Sequence, residues 1–401
     1  MIIYAKGSTK LNKKFRPTMK LLIFCPYYPP HIGGLESHAD EFNKYLSRKG
    51  TSITVFTPRL PEDSLEREIK YEQVNIIRFP AFEIIPNYPL PKFWSRRFWK
   101  LFSNLFGQEF DIIISRTRFF NTSLLALIYA KIEKVKWIHI EHGSDFVKTG
   151  GWFSVSVARI YDHTFGKLIL KTADRVIANS KASARFCQKL AGGISCEVIY
   201  RGVESERISA IAPDFELKNK YPEKTIITFL GRLFDGKGVA DLVSALSQVE
   251  NKNYVCFIIG DGPEKIKLEA LAKKNKIENK IVFFGYKNFE DYIKILKITD
   301  IFVNPSYTEG LPTTVIEAAL CHNAIIATNI GGTPEIITDN KSGFLVKSRN
   351  TIMLKNKLEI LINNVTLRKS LGDNVYSEVK DRFSWNESTR KYLRIFSDER
   401  I

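Results

Sequence analysis

The chain has 401 residues, 44% of them hydrophobic and 26% charged, which is typical of a folded globular protein and excludes whole-chain disorder. This length suggests two or three domains. The 60 lysines and arginines against 43 acidic residues give a formal charge of +17, which favours anionic partners: nucleic acid, acidic lipid surfaces or phosphorylated small molecules.

The N-terminal region and the cysteines indicate the compartment. Residues 1–18 carry Lys10, Lys13, Lys14 and Arg16 and lack the apolar centre of a secretory signal, so we expect a basic extension. The five cysteines include no CxxC pair, which argues against a disulfide framework or a zinc site. No apolar run approaches the ~18 residues of a membrane span. These features predict a cytoplasmic protein.

The first half of the chain, residues 19–205, alternates apolar strand-like runs with helical periodicity. A glycine pair follows the first strand, and a histidine follows the fifth. The expected strands are 21–25, 52–57, 75–79, 111–115, 136–140, 175–178 and 197–200, and the expected helices are 35–49, 124–132 and 154–172.

A polar stretch containing Pro213 and Pro222 predicts an irregular linker over residues 206–224. The alternation then restarts over residues 225–380. The expected strands are 225–230, 254–259, 281–284, 301–304 and 324–327, and the expected helices are 239–248, 290–297 and 314–320. Two such runs predict an α/β protein with two Rossmann-like, doubly wound domains that face each other across a cleft. Ligands should bind beyond the carboxyl ends of the parallel strands.

Gly33 and Gly34 lie between the first strand and the first helix. Glycine at this position lets backbone N–H groups approach an anion at the helix N-terminus, although a tight turn that needs positive φ would also select glycine. The pair is not a GxGxxG fingerprint, so a nicotinamide cofactor is not expected.

Arg232 and Lys237 follow the first strand of the second domain. Two cations on one loop can bind two phosphates, Arg as a planar fork and Lys as a point charge. A solvated basic loop is the alternative interpretation. Because the loop has no GxxxxGK[ST] pattern, it does not predict a nucleoside triphosphatase.

The segment from Glu309 to Glu317 is the most informative. Pro312 suits a first helical position, which would leave the N–H groups of Gly310, Leu311 and Thr313 beside it free to hold a phosphate. The two carboxylates are eight residues apart and are expected to face different parts of one extended ligand, such as its sugar hydroxyls. A capped helix with incidental acids is the alternative.

His142 lies in the sequence Glu-His-Gly-Ser-Asp that ends a strand of the first domain. At that edge a histidine faces the cleft, where it can donate to a sugar hydroxyl or act as a general base. A hydrogen bond to a neighbouring carbonyl is the ordinary alternative. No other histidine stands at a metal-ligand spacing from His142, so no metal site is predicted.

A basic aromatic segment lies within residues 92–102 and contains no acid. It has the composition of a short helix that lies in a membrane interface, or of a surface helix whose aromatic face packs on the domain. No RNA- or DNA-binding motif accompanies it, so no nucleic-acid partner is expected. The candidate membrane contacts are Lys92, Trp94, Arg96, Arg97, Trp99 and Lys100.

Taken together, these motifs resemble the retaining nucleotide-sugar glycosyltransferases of family 4, which have the GT-B fold. The resemblance covers roughly residues 19–397. The supporting motifs in this sequence are Asn179-Ser180, Arg201-Gly202-Val203, Gly260-Asp261-Gly262-Pro263, Gly331-Gly332-Thr333-Pro334-Glu335 and Ser342-Gly343-Phe344-Leu345-Val346.

The resemblance implies a role for each site residue. Arg232 and Lys237 would neutralise the donor diphosphate, and Glu317 would bind the donor ribose. Glu309 would contact the transferred sugar, His142 would lie beside it, and Gly34 would let the first loop approach the phosphates. It also implies a C-terminal helix, within 381–401, that crosses back to the first domain.

One departure follows Glu317. The family commonly continues with a small residue and then Gly-x-Pro, whereas this chain has Cys321-His322-Asn323-Ala324. The missing glycine and proline should alter the turn that leaves the nucleotide-binding helix.

The sequence therefore predicts a metal-independent, cofactor-free hexosyltransferase. Its expected partners are a nucleoside-diphosphate sugar and a glycan or lipid-linked acceptor, with peripheral association at the inner face of an anionic membrane. The alternatives are a GT-B sugar-nucleotide epimerase and a non-catalytic binder of an anionic ligand such as nucleic acid. A phosphorylase of the pyridoxal type is not expected, because the sequence lacks the surroundings of a Schiff-base lysine.

Overall fold

The computed structural model describes residues 18–31, 33–85, 88–147 and 152–399. The predicted basic extension, residues 1–18, lies outside this range except for Thr18. Two α/β units follow each other along the chain, each built on one twisted sheet.

The first unit contains an eight-stranded sheet in the order β10-β9-β8-β7-β1-β2-β4-β3 and a separate hairpin of β5 and β6. All neighbours in the large sheet are parallel except β3 and β4. The strands are β1 (Lys20–Phe24), β2 (Ser52–Pro58), β3 (Arg67–Lys70), β4 (Val74–Phe79), β5 (Ala81–Ile85), β6 (Tyr88–Pro91), β7 (Ile112–Arg116), β8 (Lys136–Glu141), β9 (Arg175–Ala178) and β10 (Glu197–Val198).

The helices of this unit are α1 (Gly34–Ser47), α2 (Arg96–Ser103), α3 (Asn121–Glu133), α4 (Trp152–Tyr161), α5 (Lys167–Thr172) and α6 (Lys181–Ala191). The long helix expected over residues 154–172 is interrupted, because a π-helical turn, Asp162–Gly166, joins α4 to α5. The linker expected to be irregular contains two short helices, α7 (Ser205–Ala210) and α8 (Phe215–Asn219).

The second unit has a wholly parallel six-stranded sheet in the order β13-β12-β11-β14-β15-β16. Its strands are β11 (Thr225–Leu230), β12 (Tyr254–Ile259), β13 (Ile281–Gly285), β14 (Ile301–Asn304), β15 (Ala324–Thr328) and β16 (Phe344–Val346). Its helices, with the final helix of the chain, are α9 (Val239–Gln248), α10 (Lys265–Lys274), α11 (Phe289–Leu296), α12 (Thr313–Leu320), α13 (Thr351–Asn363), α14 (Val365–Val379) and α15 (Trp385–Glu399).

Helices cover both faces of each sheet, so the strands are buried on both sides and read as continuous apolar runs. In the first unit α1 and α15 pack on one face, and α2, α3 and α5 pack on the other. In the second unit α9, α10 and α13 cover one face, and α12 and α14 cover the other. The predicted pair of Rossmann-like domains is confirmed.

The final helix α15 leaves the second unit and packs in the core of the first. Trp385, Tyr392 and Phe396 are buried among side chains of β1 and α1. The two units are therefore connected twice, once through α7 and α8 and once through α15.

In the turn after α12, His322 stands at the position of the missing glycine. His322 takes the left-handed conformation, with φ of 60°. Its ring stacks on Tyr376 at 4.1 Å between centroids, and its Nδ1 lies 2.8 Å from the Asp373 carboxylate. These contacts compensate the strain of a side chain in a region that favours glycine. The altered turn lies at the opposite end of α12 from the Glu309 loop.

Candidate functional site

The loop after β11 carries both predicted phosphate-binding cations. Lys237 ends a single 3₁₀ turn, and its Nζ donates to Glu309 Oε1 at 2.7 Å. The Arg232 guanidinium lies near the Phe234 ring, and its charge acts on the hydroxyl of Tyr27 across the cleft. Gly238 is required here, because it has φ of 63° and a Cβ would come within 2.1 Å of the Pro305 carbonyl oxygen.

The segment from Glu309 to Thr313 brings a helix N-terminus next to these cations. Pro312 is the N-cap residue and Thr313 is the first helical residue, so the proline precedes the first helical position that the sequence suggested. No side chain among the described residues caps the start of α12. Its first N–H groups and the positive end of its dipole can therefore act on an anion.

Gly310 and Leu311 form the contact between this loop and the first domain. A Cβ on Gly310 would come within 2.2 Å of the His142 carbonyl oxygen, so only glycine allows the approach. Leu311 is buried, and Ser144 Oγ donates to the Glu309 carbonyl at 2.5 Å. The loop that carries Glu309 therefore packs directly against the loop that carries His142.

Glu317 lies one turn inside α12 and is buried. The Tyr292 hydroxyl donates to its Oε1 at 3.2 Å. Burial raises the pKa of Glu317 to about 8, since the opposing charge of Arg201 and the Tyr292 hydrogen bond offset desolvation only in part and Glu41 adds to it. At neutral pH the carboxyl is mostly protonated, so it can both donate to and accept from a hydroxyl.

Glu309 and Glu317 have different partners on different elements. Glu309 binds the Lys237 ammonium on the loop after β11, whereas Glu317 binds Tyr292 on α11. That the two carboxyl groups address different parts of one extended ligand stays a prediction.

The loop of His142 is held by the buried carboxylate that precedes it. Glu141 Oε1 accepts the backbone N–H groups of His142 and Gly143 at 2.9 and 2.7 Å and lies 3.2 Å from the Arg118 guanidinium. Burial by itself would raise the pKa of Glu141. The charges of Arg118 and His139 nevertheless hold that pKa below its usual range. Arg118 is also paired with Asp162 at 3.0 Å.

His142 itself is neutral. Burial and the charge of Arg116 lower its pKa to about 3. Its Nε2 is buried and bonds to no other group among the described residues, while its ring meets the His38 ring edge-to-face at 4.8 Å. A neutral imidazole with a free ring nitrogen suits a hydrogen bond to a sugar hydroxyl. A group with this pKa is a weak general base, so the geometry favours the first of its two predicted roles.

Gly33 and Gly34 begin α1, but not for the conformational reason considered above. Gly33 has an extended φ of 174° and neither glycine lies in the left-handed region, so the tight-turn interpretation is wrong. A Cβ on Gly33 would come within 2.4 Å of the Glu36 carboxylate, which lies 2.5 Å from His31 Nδ1. A side chain at position 33 would therefore require the Glu36 carboxylate to move.

Gly34 has open space around its Cβ position. Its carbonyl accepts from Arg201 at 3.1 Å, and Arg201 also binds Glu41 at 3.2 Å. Gly33 lines a cavity of about 330 Å³ between the first loop, α1 and the start of α7. Through its hydrogen bond to Gly34, Arg201 at the end of the first domain fixes the first loop.

Several residues of this site escaped the analysis of the sequence as individual side chains. Arg201 and Glu141 lay inside quoted motifs without an assigned role, and Arg118 and Tyr292 were not singled out. The position of Glu141 and Arg118 just at or beyond the ends of β8 and β7 is the signal that could have found them, because chemistry collects at that edge of a parallel sheet.

The membrane-contact candidates lie on and before α2, and the structure divides them. Trp94 and Trp99 are 71% and 51% exposed. Lys92 and Arg97 bind acids of the loop before β3, Glu62 and Glu66. Arg96 and Lys100 are exposed and have no acidic partner among the described residues. The opposite face of α2, with Phe98, Leu101 and Phe102, packs in the core.

Among the described residues, no group of three or more His, Cys, Asp or Glu side chains could hold a metal ion. No described helix is both long and apolar enough to cross a membrane.

Comparison with known proteins gives matches along both domains. The model of the glycosyl transferases group 1 matches residues 211–378, and that of the Glycosyltransferase Family 4 matches residues 32–207. An uncharacterized glycosyltransferase of Methanocaldococcus jannaschii, MJ1069, is 40% identical over 94% of this chain and 98% of its own length.

A more distant relative is the N,N'-diacetylbacillosaminyl-diphospho-undecaprenol alpha-1,3-N-acetylgalactosaminyltransferase of Campylobacter jejuni. It is 26% identical over 75% of this chain and 80% of its own length. The solved structure of Anabaena HepE with UDP and glucose superposes with a TM-score of 0.75 at 19% identity, covering 95% of this chain and all of the other. The two-domain architecture is the GT-B fold.

Proposed function

The chain belongs to the group 1 glycosyltransferases, and from that premise we propose that it is a metal-independent, retaining hexosyltransferase. It would move a sugar from a nucleoside-diphosphate sugar to a glycan or lipid-linked acceptor. The observation that carries this proposal is the cluster of Arg232, Lys237, Glu309 and the uncapped start of α12, opposite the neutral ring of His142.

The reaction places negative charge on the leaving diphosphate as the bond between the anomeric carbon and the phosphate oxygen breaks. Arg232, Lys237 and the first N–H groups of α12 would stabilise that charge, and they are fixed before the reaction begins. This arrangement performs the task that a divalent cation performs in other enzymes. The donor phosphates would also replace part of the ion pair between Lys237 and Glu309 and so release the Glu309 carboxylate for the sugar.

The remaining residues would orient the two ends of the donor. His142 would hydrogen-bond a hydroxyl of the transferred sugar through Nε2, and Glu317 would bind the ribose. Glu141, the carboxylate next to His142 in the chain, is fully buried and engaged by Arg118 and two backbone amides. It is therefore a poor candidate for a nucleophile that would carry the sugar covalently.

The first test uses donor binding. The purified protein is incubated in EDTA with uridine-, guanosine- and adenosine-diphosphate sugars, and both the melting shift and the release of nucleoside diphosphate are recorded. We expect one donor to stabilise the protein and to be turned over, and the Arg232→Ala/Lys237→Ala double variant to lose both effects. An Arg390→Ala/Lys391→Ala variant, altered on the exposed face of α15, serves as the matched control.

Other outcomes identify the alternatives. Conversion of the donor into an isomeric nucleotide sugar without release of nucleoside diphosphate would indicate an epimerase. The proposal would be contradicted if no donor bound and the protein retarded random RNA in a gel. That result would favour the alternative of a non-catalytic protein that binds an anionic ligand such as nucleic acid.

We further propose that the acceptor is met at an anionic membrane surface, with α2 as one contact. Trp94 and Trp99 expose large amphipathic rings near the exposed cations Arg96 and Lys100. Helix α4 of the same domain exposes Trp152 and Ile160 by 82% and 65%. Exposed aromatic rings and cations suit the interface between headgroups and acyl chains. The acceptor in the name of the Campylobacter relative is a diphospho-undecaprenol lipid, which agrees with this proposal.

A further inference from the structure

Helix α6 of the first domain is completed by a carboxylate of the second. Glu335 ends the 3₁₀ turn Thr333–Glu335 after β15. Its two oxygens accept the backbone N–H groups of Lys181 and Ala182 at 2.8 and 2.9 Å, and Oε2 also accepts the Tyr200 hydroxyl at 3.0 Å. All three donors belong to the first domain.

The N-cap side chain of α6 does not bind the N–H groups of Lys181 and Ala182, which donate to Glu335 instead. The N-cap residue Ser180 uses its hydroxyl oxygen to accept from the Ser183 N–H at 3.1 Å. The first and second N–H groups of a helix have no partner within the helix. A carboxylate satisfies them well, because it adds a charge to two hydrogen bonds at the positive end of the dipole.

The segment that carries Glu335 also supports the Glu309 loop. Gly332 N donates to the Gly310 carbonyl at 2.6 Å. Gly331 has φ of 50°, and a Cβ there would come within 1.8 Å of the Glu309 carbonyl oxygen. Two glycines therefore let the chain of Glu335 lie directly behind the backbone of Glu309 and Gly310.

These contacts form a continuous path across the cleft. On one side of the Glu309 loop is the His142 loop of the first domain, and on the other side is the segment 331–335, whose carboxylate holds α6 of the same first domain. Domain separation would break the contacts of Glu335 and would remove the His142 loop from Gly310 at the same time.

We infer that Glu335 is a positioning residue that holds the two domains together over the donor. It touches neither donor nor acceptor in this scheme. Its contacts keep His142 and Glu309 on opposite sides of the transferred sugar and keep water away from the anomeric carbon. Exclusion of water favours transfer to the acceptor over hydrolysis of the donor. This inference rests on the proposed function.

The expected phenotype separates turnover from donor binding. Among the proposed donor-binding side chains, Arg232, Lys237, Glu309 and Glu317 lie in the second domain and His142 lies in the first. Donor affinity in Glu335→Ala should therefore fall much less than kcat. We expect kcat for transfer to fall about tenfold or more, because three charge-assisted hydrogen bonds between the domains are lost. The ratio of donor hydrolysis to transfer should rise, and Glu335→Gln should recover part of the rate.

Glu378 provides the matched control. Its carboxylate accepts the hydroxyls of Thr338 and Ser342, at 3.2 and 2.8 Å, within the second domain and close to the same segment. Glu378→Ala removes the same charge without altering a contact between the domains. Equal losses of kcat in the two variants, or an equal loss of donor affinity and kcat in Glu335→Ala, would overturn the inference.

A second readout needs no substrate. Amide hydrogen exchange at Lys181 and Ala182 should accelerate at least tenfold in Glu335→Ala and stay unchanged in Glu378→Ala, and the radius of gyration should increase only in the former. If these physical changes occur while no donor is turned over by the parent protein, the proposed function fails and the domain contact stands. Unchanged exchange would refute the domain contact itself.

Discussion

At the scale of single residues, burial sets the charge state of the site. Glu317 and His142 are both held mostly in their neutral form near neutral pH, since desolvation disfavours the charged form of either group. The charges that remain in the cluster are the cations Arg232 and Lys237 with the Glu309 carboxylate. The site thus combines fixed charges for the diphosphate with neutral hydrogen-bonding groups for the sugars.

The raised pKa of Glu317 predicts a dependence of stability on pH. Its pKa of about 8 in the folded protein exceeds the usual 4.5, so the folded state binds more protons between these values. The free energy of unfolding should therefore fall as pH rises from about 4.5 to 8, by at most about 1.4 kcal/mol per pH unit from this group. In urea unfolding at pH 5 to 8, the free energy of unfolding of Glu317→Gln should increase relative to that of the parent protein as pH rises. The free energy of unfolding of the Glu269→Gln variant, altered at an exposed position, should change with pH as that of the parent protein does.

His142 predicts the shape of the activity profile. Because its pKa is about 3, its ring stays neutral from pH 5 to 9 and contributes no acidic limb to kcat. We expect His142→Ala to lower kcat roughly tenfold to hundredfold through the lost hydrogen bond, with an unchanged profile over that range. A limb near pH 6.5 that is present in the parent protein and absent in the variant would contradict the neutral-ring interpretation.

At the scale of elements, the two faces of α2 have different tasks. Phe98, Leu101 and Phe102 hold it on the first sheet, and Arg97 ties it to Glu66. The outward face exposes Trp99, Arg96 and Lys100. The helix packs on the domain and leaves a basic aromatic face exposed, and contact of that face with a membrane stays a prediction.

This division predicts which substitutions weaken binding to vesicles. The Arg96→Glu/Lys100→Glu variant should bind vesicles of mixed zwitterionic and anionic lipid at least about tenfold more weakly, since each cation contributes about 1 kcal/mol near such a surface. Lys273→Glu/Lys274→Glu on α10 makes the same charge change in the second domain and should bind like the parent protein. Sedimentation of the vesicles measures both, and equal losses would refute a specific contact through α2.

At the scale of the whole molecule, α15 makes the two domains depend on each other. Trp385 is 1% exposed, stacks on Tyr45 at 5.5 Å between centroids and donates from Nε1 to Glu41 at 3.0 Å. A Cβ on Gly202 would come within 2.4 Å of the Trp385 backbone. The end of the chain is therefore part of the core that the first sheet requires.

Trp385→Ala should destabilise the protein strongly. Removal of a large buried aromatic side chain that also carries a hydrogen bond costs about 3–5 kcal/mol. Trp99→Ala, at an exposed position of the same domain, should change the free energy of unfolding by less than about 0.5 kcal/mol. Urea denaturation followed by circular dichroism compares the two. A small effect at Trp385 would mean that α15 is dispensable for the first core.

The sequence by itself determined the architecture and the residue types of the site. Alternating apolar runs and helical periodicity are local signals, so they predict two parallel sheets without any knowledge of long-range contacts. The loops after β8 and β11 and the Glu309–Glu317 segment follow from where those strands end. Local signals were less reliable for the ends and interruptions of elements, as Pro312 at the N-cap and the π-helical turn before α5 show.

Only the tertiary structure decided how those residues act. The ion pair of Lys237 with Glu309, the burial of Glu317 against Tyr292 and the hold of Glu335 on α6 join residues 25 to 154 positions apart in the chain. No periodicity or spacing encodes such contacts, because they arise when elements that are distant in the chain pack together within the second domain and between the two domains. Charge state and domain closure therefore belong to the fold, whereas the choice of cations, carboxylates and glycines belongs to the sequence.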